Sequence, residues 1–414
     1  MELRKGYKQT EVGEIPEDWS IAKFSKVSFM KGRIGWQGLN QTEFTTNNDE
    51  PYLITGMNFK NGAIRWDEVY HVSDERYEIA KEIQLKSGDV LMTKDGTIGK
   101  LLYVDYIPYP HKASLNSHLL VFRPLNNSYN PKYLYYHLFS PYFFKHIELA
   151  KSGTTFFGIS QTSVGEYNLI LPPLNEQTAI ATALSDMDNL INSLSIHIEK
   201  KKAIKQGAMQ QLLKPKEGWV VKKVEEIAEV RSGKRLPLGK SLVDNETPHP
   251  YIRILDMKNG TVSLDDLRYV PEEVYPSIKN YRIFKDDIYI SVAGTLGLIG
   301  SIPEELDGAN LTENANRLTA IKCNIDYLTF VMKSNIIQDR IEGERTMGAQ
   351  PKLALIRIRN FEISFPTLKE QDKIAKQLND MDNEIQTLEQ NLSKYQMLKQ
   401  GMMQELLTGK TRLV

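Results

Sequence analysis

The sequence predicts an α/β protein built twice: two similar globular α/β domains separated by two long helices that pair as an antiparallel coiled coil, an internal pseudo-twofold repeat. Three observations carry this. "EQTAIATALSDMDNLI", from Glu176, aligns without a gap on "EQDKIAKQLNDMDNEI", from Glu370, and the match runs from "LPPLNEQ" and "FPTLKEQ" to "IKQGAMQQLL" and "LKQGMMQELL" with roughly half the positions identical. Apolar residues in both copies recur at alternating steps of four and three, the spacing of a coiled-coil seam. The segments ahead of the helices correspond too: "EDWSIAKFSKVSFMKGR" with "EGWVVKKVEEIAEVRSGKR", "GDVLMTKDGTIG" with "DDIYISVAGTLG", and "PKYLYYHL" with "IDYLTFVM".

The first globular domain, residues 1–172, mixes short alternating runs such as "LLVFRP" with Gly, Asn and Pro turns. Pro172 and Pro173 stop the run "YNLILPP", and a helix follows over 173–214 with Glu176 in its first turn, where the helix dipole favours an acid. Its seam is Ile180, Leu184, Met187, Ile191, Leu194 and Ile198. The second domain, 215–366, repeats the pattern with "RLTAIKC" and ends at Pro366. A second helix, 367–408, carries the seam Ile374, Leu378, Met381, Ile385, Leu388 and Leu392, and Gly409 caps it ahead of the tail 409–414. At 1.5 Å per residue each helix would be about 55 Å long, and an apolar stripe of that length needs a partner. The first helix carries the chain away and the second brings it back, so the pair is expected to be antiparallel. Gly207 and Gly401 interrupt both helices at matching places, each at about 1 kcal/mol relative to alanine, which points to a close backbone approach. The linker "KPKEGW" has its counterpart split between the tail "TGKTRLV" and the start "GYKQTEVGEIPEDW", as if a ring of two units had been cut open.

Composition narrows the function. The 414 residues have zero formal net charge and 41% hydrophobic content, which suits a globular protein with two or three cores rather than one that coats nucleic acid by charge. Cys323 is the single cysteine, and no apolar run or signal-like start points to a membrane or export, so a reducing cytoplasmic setting is expected. "GTIGK" is not a phosphate loop, because Lys94 stands where its first glycine belongs and Leu101 where a Ser or Thr would meet magnesium. "GTLGLIG" has the wrong glycine spacing for a dinucleotide site, "NPKY" at Asn130 reads as a turn, and no metalloprotease, paired-cysteine or triad motif occurs. A non-catalytic chain without a metal or cofactor of its own is expected.

Recognition remains. Basic and amide residues sit among glycines and aromatics: Lys31, Arg33, Trp36 and Gln37 in "KGRIGWQG"; Lys94, Thr97 and Lys100 in "TKDGTIGK"; Asn116 and His118; and Lys151, Thr154 and Thr155 in "KSGTTFFG". The second domain answers with Arg231, Lys234 and Arg235 in "RSGKR", Thr295, Asn314, Asn316 and Arg317 in "ENANR", and Arg345, Thr346, Gln350 and Lys352. Arg, Lys, Asn and Gln read base edges, while hydroxyls and glycine-loop amides hold phosphates, so these are candidate DNA contacts.

The "GYKQTEVGEIPEDW" start, the "LPPLNEQ" and "FPTLKEQ" entries, the "DMD" in each helix and the "KQGMMQELLTGK" ending closely resemble the specificity (S) subunit of Type I restriction-modification systems. The resemblance implies that each globular part is a target recognition domain for one half of a bipartite, asymmetric DNA site. The helices would then act as a spacer between the two domains. It further implies two methyltransferase (M) subunits and motor-nuclease restriction (R) subunits as partners, with S-adenosylmethionine, ATP and Mg on those partners. The second domain departs from the pattern, reading "ERTMGAQPK" where the first has "SGTT". The competing reading is a non-catalytic coiled-coil scaffold that organises protein partners without DNA specificity.

Overall fold

A computed structural model describes residues 3–33, 38–60, 62–151, 157–343 and 352–413. The chain divides into two compact units, one of residues 1–194 and 391–414, the other of 195–390.

In the first unit Leu101–Tyr103, Val90–Thr93, Leu119–Pro124 and Ser28–Lys31 form, in that order, an antiparallel sheet. The inner strand "VLMT" is buried throughout because both of its faces are covered. Val90 and Met92 pack with Leu134 of the helix Pro131–His137 and with Phe143 and Ile147 of the helix Pro141–Ala150. Leu91 packs the other way, onto Tyr52 and Ile54 of a second sheet. In that sheet Ala113–Leu115 runs parallel to Tyr52–Ile54, which pairs antiparallel with Tyr70–His71. A separate pair, Ser20–Lys23 with Asn168–Leu171, leads into the first long helix.

The second unit repeats this order strand for strand. Ile299–Ser301, Ile288–Ser291, Ala315–Thr319 and Glu229–Ser232 make the antiparallel sheet. Asn310–Leu311 runs parallel to Pro250–Ile252, which pairs antiparallel with Arg268–Tyr269, and Val220–Lys223 pairs with Glu362–Phe365 at the entry to the second long helix.

The long helices, Leu174–Leu212 and Leu368–Leu406, are 39 residues each. The "EQ" that opens both is explained by the glutamine. Gln177 accepts from the Asn130 backbone N–H at 2.8 Å and donates to the Pro172 carbonyl at 2.8 Å; Gln371 accepts from Asn324 N–H at 3.1 Å and donates to the Pro366 carbonyl at 3.0 Å. Asn130 is therefore not a turn residue of a "NPKY" motif but a helix cap, its side chain accepting from Lys132 N–H at 2.9 Å and Tyr133 N–H at 3.2 Å, and Asn324 caps Ile325–Lys333 in the same way.

Within each unit the two long helices run antiparallel. In the first unit Ile180, Ala181 and Leu184 pack with Leu406 and Leu407, and Asp188 pairs with Lys399 at 2.6 Å. In the second, Met209 and Leu213 pack with Ile374, Ala375 and Leu378, while Lys201 pairs with Glu384 at 2.6 Å and Lys205 with Asp382. Ile180, Leu184, Ile198, Ile374, Leu378 and Ile385 are buried; Met187, Ile191, Leu194, Met381, Leu388 and Leu392 are half-buried, because two helices alone cannot enclose a seam from every side. Gly207 and Gly401 make no close approach. A Cβ at either would meet nothing within 4 Å. Among the described residues no helix is long and apolar enough to cross a membrane.

The chain ends meet in the first unit. Arg412 bonds Glu176 at 2.7 and 2.8 Å and Asp18 at 2.7 and 3.0 Å, and Trp19 Nε1 donates to Glu176 at 2.9 Å. Tyr7 donates to the carbonyl of Gly409, whose φ of +72° favours glycine and where a Cβ would stand 2.5 Å from Pro16. The hydrogen bonds of Arg412 hold the Asp18 carboxyl below its ordinary value.

Two outcomes follow for stability. Leu184→Asp or Leu378→Asp replaces a fully buried side chain by a charge and should lose at least the ~1.5–3 kcal/mol that such burial contributes, measured by denaturant unfolding. Gly207→Ala should instead gain up to about 1 kcal/mol, since its Cβ enters open space; a loss there would mean that the glycine has a packing role.

Candidate nucleic-acid interface

Both units build the same turn at "GTIG" and "GTLG". In the first, Thr93 donates its hydroxyl to the Thr97 carbonyl and accepts from Lys100 N–H at 2.9 Å. In the second, Ser291 donates to the Thr295 carbonyl at 2.6 Å and accepts from Leu298 N–H at 2.8 Å. Gly96, Gly99, Gly294 and Gly297 have φ between +67° and +84°, a region that L side chains rarely adopt, which is why glycine recurs there. Each turn is fastened on two sides. Lys94 N–H donates to the His118 carbonyl and Ile159 N–H to the Lys94 carbonyl, both at 2.9 Å; Val292 N–H donates to the Asn314 carbonyl at 2.8 Å and Leu353 N–H to the Val292 carbonyl at 2.9 Å. Lys94, Thr97, Lys100, Asn116 and His118 are thus brought together in one unit, and Thr295, Asn314 and Lys352, which bridges to Ala293, in the other.

In the first unit the turn lines a cleft of ≈750 Å³ together with Thr97, Lys100, Asn116 and His118. The cleft also holds residues that sequence reasoning missed, among them Met57, 84% exposed at the tip of the turn Gly56–Asn58; Tyr70; Glu68; and Asp95, whose carboxylate takes the His118 Nδ1 at 3.1 Å. Gly158 leaves room for that carboxylate, because a Cβ on it would lie 3.0 Å from Asp95 Oδ1. Met57 and Tyr70 carry no sequence signal beyond being exposed apolar side chains; Asp95 had one, lying within the quoted "TKDGTIGK". The cleft offers an ammonium, an amide, an imidazole, a carboxylate acceptor and an apolar tip, the functional groups that distinguish base edges.

Other candidates lie elsewhere. Lys31 pairs with Glu82 at 3.1 Å, and Lys151 with Glu148 after the helix Pro141–Ala150. Arg33, grouped by sequence with surface residues, is 3% exposed and donates to the Leu115 carbonyl at 2.8 Å and Ser114 Oγ at 3.1 Å, so it fastens the second sheet from inside. Burial, helped by Arg76, lowers its guanidinium to about 10. In the second unit Arg231 pairs with Glu229 and Arg235 with Glu313, both at 2.6 Å, and Lys234 sits 5.7 Å over the Tyr281 ring. Asn316 and Arg317 are likewise inside, 3% and 7% exposed on the inner strand Ala315–Thr319. Arg317 Nε and Nη1 have no hydrogen-bond partner among the described residues, and burial pushes this guanidinium below its ordinary value. Trp36, Gln37, Thr154, Thr155, Arg345, Thr346 and Gln350 lie outside the described residues.

Residues 22–206 and 216–395 match the Type I restriction modification DNA specificity domain. Over 99% of its length the chain is 27% identical to a Methanocaldococcus jannaschii protein provisionally assigned as the MjaX type I restriction enzyme specificity subunit, covering 97% of that protein. It is 22% identical to the MjaVIII type I restriction enzyme specificity subunit of the same organism, over 99% of this chain and 96% of the relative. The fold is similar to the crystal structure of a Type-I restriction-modification system S subunit from M. genitalium, with a TM-score of 0.58, 18% identity and 98% of each chain covered. With two matched segments that account for most of its length, the chain belongs to the family of the Type I restriction modification DNA specificity domain, which it carries twice.

Proposed function

We propose that this chain is the sequence-recognition subunit of a type I restriction-modification complex, binding a bipartite, asymmetric DNA target and directing methyltransferase and restriction subunits to it. The observation that carries the reading is that one turn is built twice with different side chains. Asp95 and His118 in the first unit are replaced by Ala293 and Asn314 in the second, so two frames of the same topology would read unlike half-sites. The chain would supply recognition, and the methyl transfer and ATP-driven restriction steps, with S-adenosylmethionine, ATP and Mg, would fall to partner subunits in the cytoplasm. Zero net charge supports a shared task, because duplex binding draws much of its affinity from phosphate contacts that M subunits would add by closing around the DNA. Residues 1–172 and 215–366 would be the two target recognition domains.

Exchange of residues 217–364 for the matching domain of a relative should change one half-site of the methylated motif and leave the other untouched, read by modification-sensitive genome sequencing. A sequence-indifferent or absent DNA interaction in the assembled complex would favour a protein-only scaffold instead. Asp95→Asn should act more locally. A carboxylate accepts from the cytosine N4 amino group, whereas an asparagine amide both donates and accepts, as adenine requires. One base of the first half-site should therefore relax or change, by about 1–3 kcal/mol of discrimination, with the second half-site intact. An unaltered motif in an active complex would remove Asp95 from base reading.

A further inference from the structure

In the second unit a pocket of ≈310 Å³ opens between the long helices and the domain, lined by Lys202, Lys205, Gln206, Met209, Asn259, Lys333, Asp382 and Ile385. Three ammonium groups converge on it. Lys205 pairs with Asp382 and lies 5.4 Å over the Phe330 ring; Lys333 lies 5.9 Å over the same ring. Lys202 pairs with Glu389 at 3.0 Å and Glu199 at 3.4 Å. Lys333 has no carboxylate within ion-pair distance among the described residues, so Asp382 is the single acid lining the pocket and it serves Lys205.

The repeat supplies an internal comparison. At the matching positions of the first unit, Asp188 takes Lys399 at 2.6 Å and the Tyr136 hydroxyl at 2.8 Å, while Lys399 lies 5.7 Å over the Tyr136 ring. That carboxylate is fully served, and charge is balanced. The second unit has Phe330 for Tyr136, Lys333 for Phe139 and Lys202 for Gln396. One hydroxyl has been removed and two lysines added around an unchanged lysine–aspartate pair; Lys202 comes with its own acids, Glu199 and Glu389, where the first unit has Ser393 and Ser195, while Lys333 comes with none among the described residues. Framework stability does not ask for this, since the first unit holds the same elements without it.

We propose that this pocket binds a phosphate-class oxyanion, held by Lys202, Lys205 and Lys333 with the Asn259 amide as a further donor. Burial, then the neighbouring Lys205, pushes the Lys333 ammonium below its ordinary value, and a bound anion relieves both effects. Lys333 Nζ lies over the Lys258–Thr261 turn, 3.4 Å from where a Cβ on Gly260 would stand, so this glycine keeps the mouth of the pocket clear.

The test uses the full chain and inorganic phosphate exchanged for chloride at constant ionic strength. The thermal midpoint should rise saturably with phosphate, as for any ligand that binds the folded state alone. Lys333→Phe installs the side chain that the first unit accommodates at this place, and should abolish the rise; Lys202→Gln, the first unit's other choice, should weaken it and carries the test if Lys333→Phe does not fold. No saturable rise in the native chain, or an equal rise in both variants, would overturn the site. The source of the anion is read separately, from duplex binding by the assembled complex. A salt-dependence slope reduced by about 0.9 in Lys333→Phe identifies the occupant as a DNA backbone phosphate, and an unchanged slope beside a lost phosphate response identifies a free anion. The inference does not rest on DNA recognition, so either can fail alone.

Discussion

Each unit depends on one buried amide. A helix of 39 residues gains little from propensity alone and takes its direction from what fixes its first turn and what covers its apolar stripe. Gln177, 1% exposed, joins the exit of the strand Asn168–Leu171, the cap of the helix Pro131–His137 and the start of the long helix, because its amide donates to Pro172 and accepts from Asn130. Buried amides are costly unless paired, so the three elements come together or not at all. Gln371 repeats the arrangement, and with it the relation of strand, capped helix and long helix in the second unit.

The neighbouring acid is held differently in the two copies of the motif. Glu370 is half-exposed and meets Lys216, on the linker, at 3.5 Å. Glu176, in the equivalent place, is fully buried. Arg412 and Trp19 both bond its carboxylate, and Asp18 shares the Arg412 guanidinium. A buried charge must be paired, and Arg412 and Trp19 supply the partners that Glu176 needs and the half-exposed Glu370 does not.

On this common frame, divergence is concentrated where the frame does not need a particular side chain. The hydroxyls of Thr93 and Ser291 and the positive-φ glycines are kept because they define the turn. The side chains of Asp95, His118 and Met57 face the cleft without defining that turn, and those of Lys202 and Lys333 lie beside the lysine–aspartate pair of the second unit without being needed for it. A duplicated fold thereby separates the residues that build it from those free to acquire a ligand.

The repeat, the two helices, their seam and the α/β class were determined by sequence alone, because gapless identity and the four-three spacing are local properties that survive without coordinates. The pairing of Leu184 with Leu406, and of Leu378 with Leu213, follows from the antiparallel course that a duplicated chain must take. Strand order did not follow, since "VLMT" and "IYIS", buried on both faces, carry no alternation to say which neighbour lies on which side. Nor could Arg33 and Arg317 be told from surface cations, because an arginine in a short polar run reads alike whether it faces water or the interior. Gly207 and Gly401 show the same limit in reverse, suggesting a contact that tertiary packing does not make. Sequence encodes what a segment is through short-range periodicity; which side chains share a cleft, a core or a pocket depends on contacts between residues far apart in the chain, and these only the folded structure decided.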